Sequence, residues 1–383
     1  MQQSCPPTPE CHDKKPFHIP IRVALFDAHG HQISVEKDIL ELKEKEQSFT
    51  FTDLSEKPVI SLLREFSAPI KLKHDLSQEE LLFLLRYEVD GFAKWDAAQN
   101  LILNCIKECL QQPSNKWQIP AALISAFQHV LLDDSLDADL RAELLTPPGF
   151  EDIATRLDSV DVSAVEQVRD FFHQQLGWYL YETAQSLYQQ LWQIEDHRMN
   201  GPAYGRRKLR NVCLWLMMKA KEAATLDVCQ QQFMAAQTMT DQIASFSLLV
   251  NCTNQGLREQ AIEDFYKQWS KDELVLDKWF AIQAMSELPE TLTHVKMLLK
   301  HTAFSIKNPN KVRALIGAFC MGNPRNFHAL DGSGYRFLAE MLVTLDKINP
   351  QIAARLANPF TRWKRYDQSR QTLMQEQLAQ LAK

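Results

Sequence analysis

Ser77-Gln-Glu-Glu-Leu-Leu-Phe-Leu-Leu-Arg86 is the stretch where the chain changes its period. Ser77 and Glu80 form a capping box. The Ser77 hydroxyl takes an orphan amide of the first turn, and the Glu80 carboxylate reaches back to the cap. Leu81, Leu82, Leu84 and Leu85 follow at helical spacing. Before this point apolar residues recur with a period of two; after it the period is helical to the end.

Upstream, residues 1–16 read as a loose lead-in punctuated by Pro6, Pro7, Pro9 and Pro16. Ile19 to Phe26 alternates as a strand, Asp27-Ala-His-Gly30 supplies turn chemistry, and Gln32 to Val35 starts the return strand. Ser48 to Thr52, Val59 to Phe66 and Pro69 to Leu72 complete about five short strands. The expectation over residues 1–75 is a small, Ig-like β-sandwich or half of one. Such a small sheet is marginal alone.

Downstream, helical segments are expected at 92–111, 120–131, 137–145, 163–195, 205–220, 222–237, 240–251, 255–270, 272–286, 289–300, 309–321, 333–347 and 361–382. Only 11 glycines occur in 383 residues, which suits helices with short links. Asn308-Pro309, Asn323-Pro324, Asn349-Pro350 and Asn358-Pro359 each offer an N-cap followed by proline at the first helical position. No strict sequence period is visible. The expected fold is mainly α: an α-solenoid or superhelical array of ARM/HEAT type over residues 76–383, after the small β domain.

Composition excludes several function classes. Hydrophobic residues make up 45% and charged residues 23%, as in a soluble globular protein. The net charge of -6 and the lack of any basic run longer than Arg206-Arg207-Lys208 disfavour nucleic acid as a partner. Apolar runs stop at about five residues where a membrane span needs about 20. The polar, proline-containing start lacks a signal core, so the expected location is the cytoplasm. Eight scattered cysteines give no disulfide framework; Cys105 and Cys109 read as small buried residues on one helix.

No catalytic signature is present. There is no GxxxxGK[ST], GxGxxG or GxSxG motif, and no histidine is followed by glutamate, so HExxH cannot occur. His12 and His18, and His29 and His31, read as solvated turn residues. His294 and His301 lie two turns apart, about 10 Å, too far to share an ion unaided. Asp133, Asp134, Asp137 and Asp139 read as a solvated loop and helix start. Trp95-Asp96 reads as a buried indole beside a structural carboxylate. Asp331-Gly-Ser-Gly334 reads as a helix-start loop, and Tyr179, Tyr181 and Tyr188 as a packed face. On these motifs alone no enzyme is expected; the solenoid-like pattern leaves a stand-alone helical scaffold that binds other proteins as the alternative reading.

Longer runs carry a resemblance. Pro6-Pro-Thr-Pro9, Lys15-Pro-Phe-His-Ile-Pro20, Leu25-Phe-Asp27, Glu65-Phe-Ser-Ala-Pro-Ile-Lys-Leu72 and Lys94-Trp-Asp-Ala-Ala-Gln99 are similar, in order, to segments of the bacterial aminopeptidase N family. So are Asp277-Lys-Trp-Phe280, Asn308 to Phe319, Asn326 to Tyr335 and Lys364-Arg-Tyr-Asp367. The match is to the C-terminal part of that family. The resemblance implies a β-sandwich and a helical domain that arches over a zinc-dependent catalytic domain and restricts peptide access. It places the zinc ligands, the general-base glutamate, the motif gripping the substrate's N-terminus and the catalytic tyrosine in a part this chain does not match. It therefore implies no metal or cofactor and no catalytic residue here, and an expressed fragment, inactive alone. The implied partners are the family's catalytic domain and peptide substrates.

The resemblance also places three side chains in the peptide cavity: Arg313, Gln351 and Arg355. Gln351 and Arg355 are spaced i, i+4 and share a helix face. A guanidinium offers a planar fork to a carboxylate or peptide carbonyl.

Overall fold

A computed structural model describes residues 1–11, 14–194 and 198–382. They gather in two compact units. One is Met1–Glu108 with Trp117–Pro147; the other is Cys109–Lys116 with Pro148–Lys383.

In the first unit, β1 (Ile19–Phe26), β2 (Gln32–Ile33), β3 (Ile39–Leu42) and β4 (Val59–Leu62) pair antiparallel. The first half of β1 pairs with β3, Ile19 opposite Leu42. Its second half pairs with β4, Val23 opposite Leu62, and with β2, Leu25 opposite Ile33. One long strand serving two pairings is how strands pass between the sheets of a sandwich. Ile19, Ile21, Val23 and Leu25 form the core with Leu40, Leu42, Leu63 and Ala68.

Three strand expectations are corrected. Ser48–Thr52 is not a strand. Phe49 and Phe51 do pack on the core, so the alternation is real, but among the described residues no strand pairs with this backbone. Ile39–Leu42, with its own alternation of exposed and buried residues, takes the place beside β1. Val59–Phe66 stops at Leu62 because Leu63, Glu65 and Phe66 turn left-handed (φ 58°, 56° and 51°). That conformation is costly without glycine. Here Asp90 Oδ2 accepts from the Glu65 amide (3.0 Å) and Phe66 lies against Phe92 (5.0 Å). Pro69–Leu72 is irregular.

The capping box opens α1 (Gln78–Tyr87) with both bonds formed. Then come α2 (Gly91–Leu110), α3 (Ala121–Leu132) and α4 (Ala138–Leu144). Lys94, buried in α2, donates to the carbonyls of Leu85 (2.8 Å) and Arg86 (3.3 Å), satisfying the end of α1. Trp95 is half-buried, and Asp96 accepts from Asn100 (3.0 Å). Cys105 and Cys109 are both buried.

The second unit holds α5 (Phe150–Ala154), which the sequence pattern missed, then α6 (Val162–Trp192), α7 (Gly201–Ala220), α8 (Glu222–Ala235) and α9 (Met239–Val250). Next are α10 (Gln255–Trp269), α11 (Glu273–Ala284), α12 (Thr291–Leu298), α13 (Pro309–Val312), a π turn (Arg313–Gly317) and α14 (Ala318–Gly322). The last are α15 (Pro324–Phe327), α16 (Ser333–Asp346), α17 (Pro350–Leu356), α18 (Asn358–Thr361) and α19 (Gln368–Leu381). Neighbours in sequence pack as neighbours in space: α6 on α7, α8 on α9, α9 on α10, α10 on α11 and α11 on α12. This is the nearest-neighbour arrangement of a helical repeat protein. The α6–α7 contact depends on Gly177, where a Cβ would stand 2.5 Å from the Leu216 carbonyl oxygen.

Three of the four Asn-Pro expectations hold: Asn308, Asn323 and Asn349 cap α13, α15 and α17. Asn358 does not; it lies inside α18, where it accepts from Thr361 Oγ1 (3.2 Å). The expected helix over 361–382 starts only at Gln368, capped by Asp367. Tyr366 is extended and bridges to Val160, with the Val160 amide donating to the Arg365 carbonyl (2.8 Å). A contact across more than 200 residues of sequence breaks the local pattern. Among the described residues, no helix is long and apolar enough to cross a membrane.

Candidate functional site

Asn308 begins the segment that carries Arg313. Its side chain accepts from the Asn310 amide (2.9 Å), and Pro309 enters the first turn with no amide to leave unpaired. Lys311 then points inward and is only 2% exposed. Its ammonium donates to Asp277 Oδ1 (2.9 Å) and the Glu273 carbonyl (3.2 Å), and pairs with Glu273 Oε2 (2.6 Å). Burial works against the Lys311 charge, but the bonds from Glu273 and Asp277 outweigh it and raise the pKa. Two of the runs that carry the resemblance, Asp277-Lys-Trp-Phe280 and Asn308-Pro-Asn-Lys311, are thus the two halves of one anchor.

Beyond the anchor the helix widens into the π turn Arg313–Gly317. Such turns shift the facing of side chains and recur at functional sites. Arg313 is exposed and donates from Nη2 to Asn310 Oδ1. Met285, at the end of α11, and Met321, in α14, are 41% and 53% exposed, and each lies against a glycine that leaves it room, Gly322 and Gly317 respectively. These two methionines were not visible as a pair in the sequence, since 36 positions separate them.

Gln351 and Arg355 lie on α17 and are both exposed. Neither side chain makes a hydrogen bond or ion pair with another described residue, so Arg355 does not pair with Asp346. The π turn packs mainly on α11, α12, α13 and α14, whereas α17 packs on α16 and α18. The fold brings Gln351 and Arg355 to one helix face and sets Arg313 on a different group of helices. Guanidinium and amide groups free of protein partners are ready to take a carboxylate or carbonyl.

If Lys311 fixes Arg313, removing its charge should be costly. Lys311→Met is expected to lower stability by about 3 kcal/mol, because the Asp277 carboxylate is left without its cation. Urea unfolding measures this; a loss below about 0.5 kcal/mol would show that the anchor is dispensable.

The other singled-out residues do not converge. His12 lies outside the described residues. His18 pairs with Glu41 (2.9 Å) and His31 with Asp27 (3.1 Å). His294 bonds Gln283 (2.8 Å), while His301 sits against Tyr266 (5.0 Å) and Trp279 (5.2 Å). Tyr181 and Tyr188 are buried, but Tyr179 is exposed, so the three tyrosines form no single face. Asp331 accepts from the Ser333 amide (2.9 Å) at the start of α16. Among the described residues no three His, Cys, Asp or Glu side chains are grouped to hold a metal ion. These histidines are spent on local partners and do not fit the zinc that the resemblance implies for the whole family protein.

Residues 78–383 match a family described as a domain of unknown function (DUF3458_C) with ARM repeats. Residues 1–75 match one described as a domain of unknown function (DUF3458) with an Ig-like fold. The chain is 38% identical to Aminopeptidase N of Escherichia coli (strain K12), a match covering 100% of this chain and 44% of that protein. It is 34% identical to Aminopeptidase N of Haemophilus influenzae, with the same coverage of 100% and 44%. A crystal structure of Legionella pneumophila aminopeptidase A in complex with aspartic acid superposes with a TM-score of 0.87. That match has 31% identity and covers 95% of this chain and 43% of the other. The chain spans less than half the length of these relatives. It belongs to the ARM-repeat family, preceded by the Ig-like one, and corresponds to the C-terminal portion of aminopeptidase N.

Proposed function

We propose that this chain is the portion of an aminopeptidase that covers the catalytic portion and narrows the path of peptides to it, and that it has no peptidase activity alone. The observation that carries this reading is the whole-length similarity to aminopeptidases of which the chain spans less than half. The absence of any His-Glu pair in the sequence supports the second clause. Within this reading Arg355 and Gln351 face the cavity and hold the C-terminal side of a short peptide, and Arg313 adds a second cation. Their exposure and, for Arg355 and Gln351, their lack of protein partners support that role.

The test has two parts. The chain mixed with zinc and leucine p-nitroanilide should release no product, and it should bind the separately expressed catalytic portion. In the protein carrying both portions, Arg355→Ala should raise KM for a tripeptide about tenfold and leave kcat nearly unchanged, as expected for losing one charged hydrogen bond. Amidating the peptide's C-terminus should erase that difference. Zinc-dependent turnover by the chain alone, or an unaltered KM, would defeat the respective clause.

A further inference from the structure

Leu63, Glu65 and Phe66 hold left-handed backbone without glycine. Such strain persists only where the surrounding structure enforces it, and it gathers at clamps and binding segments. For Leu63 the return is visible: its side chain is buried in the core of the first unit. Glu65 and Phe66 gain no such place, and Phe66 is 52% exposed.

The turn is braced against its neighbours. Asp90 binds it to the start of α2: its Oδ2 accepts from the Glu65 amide (3.0 Å) and its Oδ1 from the Ala93 amide (2.8 Å). Glu65 Oε2 pairs with Arg22 Nη1 (2.5 Å), and Ser67 Oγ accepts from the Arg22 amide (2.9 Å), which fixes the turn to β1. Arg64 Nη2 pairs with Oε1 of the buried Glu88 (2.9 Å). These bonds hold the Phe66 ring outward. It lies 5.0 Å from Phe92, which packs on the core and is itself 6.0 Å from Trp95. Val89, the residue before Asp90, is 77% exposed and adds apolar surface next to the brace. An aromatic ring on a fixed base loses little freedom when a partner buries it, and such rings are common anchors of interfaces. The charges around it, Arg22 with Glu65 and Arg64 with Glu88, already neutralise each other, so the ring calls for an uncharged apolar surface.

The occupant follows from how much of the relatives this chain spans. The match covers 44% of the Escherichia coli protein and 43% of the Legionella pneumophila one. It corresponds to the C-terminal portion, so in those relatives more than half of the protein precedes it and meets the Ig-like unit first. The lead-in of that unit runs near the ring. Gln3 donates to the Phe17 carbonyl and accepts from the Phe17 amide, both at 2.8 Å. Phe17 stands five positions before Arg22, about 17 Å of extended chain.

We propose, on the reading that this chain covers a catalytic portion, that Phe66 is the ring that docks it, entering an apolar socket on that portion. Burial there offsets the left-handed backbone that presents the ring. The contact shares no residue with Arg313, Gln351 or Arg355, so it serves attachment and not peptide binding.

Calorimetric titration of the separately expressed catalytic portion with the 383-residue chain tests this. Phe66→Gly should weaken binding at least about tenfold. Glycine takes this backbone without strain, so the urea midpoint of the variant chain alone should hold or rise, whereas a ring that only supported the fold would lower it on removal. Phe66→Leu keeps an apolar side chain and should bind more tightly than Phe66→Gly. Native affinity in Phe66→Gly overturns the proposal and leaves the covering role standing. Failure of the native chain to bind defeats the covering role and this proposal with it. Sedimentation of the chain alone supplies the last outcome: a dimer that Phe66→Gly disperses would assign the ring to a second copy and overturn the docking.

Discussion

Gly334→Ala is expected to destabilise the second unit by at least about 3 kcal/mol, the upper part of the range for overpacking a core. The added Cβ would stand 2.2 Å from the Phe327 carbonyl oxygen and 2.8 Å from that residue's carbonyl carbon and Cα. All three are backbone atoms, so no side chain can swing aside. Phe327 cannot easily retreat either. It is fully buried and packs edge-on against Phe319 (6.3 Å) and Tyr335 (5.3 Å). The next residue, His328, bonds the Tyr335 hydroxyl (2.8 Å), and its carbonyl accepts from Arg370 Nε (2.9 Å). Arg370 in turn pairs with Asp367 (2.6 Å) and donates to Ser163 (2.7 Å), tying α19 to α6. A shift at Phe327 would strain this whole set. Gly201→Ala is the control: a Cβ there meets nothing within 4 Å, and stability should change by less than about 0.5 kcal/mol. Urea unfolding compares them; equal midpoints would show that the Phe327 backbone yields freely.

That clash explains why Asn326-Phe-His-Ala-Leu-Asp-Gly-Ser-Gly-Tyr335 looks so specific. Gly334 and the ring residues serve a close backbone approach, and Gly332 takes the left-handed turn (φ 69°) ahead of α16. The sequence alone made the helical half legible because caps and apolar spacing are local: Ser77, Asn308, Asn323 and Asn349 each act within four residues. What local reasoning missed rests on distant partners. Phe49 and Phe51 alternate like a strand but have no strand beside them among the described residues. Tyr366 leaves the helix because Val160 holds it. Lys311 looks like a surface lysine until Asp277 is brought to it. Arg313, Gln351 and Arg355 came from the resemblance; helix periodicity could place Gln351 and Arg355 on one face but could not give them a ligand.

Lowering the pH from 7.5 to 5 is expected to destabilise the chain well before its carboxylates titrate. Burial, first, and then the arginines nearby hold His173 and His328 at a pKa of about 3, against about 6.5 for an unburied histidine. For His173 the neighbouring cations are Arg169, Lys219 and Arg325, with Glu287 opposing them; for His328 they are Arg370 and Arg365. Between these pKa values the unfolded chain binds protons that the folded chain refuses. The stability is therefore fully present above about pH 6.5 and is lost as pH falls. Each histidine contributes a slope of about 1.4 kcal/mol per pH unit below that point. Glu287 has a lowered pKa, because Lys219 and Arg325 outweigh its burial, and enters only below its ordinary value of 4.5. The window from pH 6.5 to 5 thus isolates histidine. His173 is the residue to change, since its ring makes no hydrogen bond to another described residue and packs edge-on against Trp215 (5.1 Å). His173→Phe should keep that packing, leave stability near pH 7.5 within about 1 kcal/mol, and flatten the acid slope by about 1.4 kcal/mol per pH unit. Urea unfolding at constant ionic strength across the window reads the slope, and an unaltered slope in the variant would mean that His173 is already protonated in the folded chain.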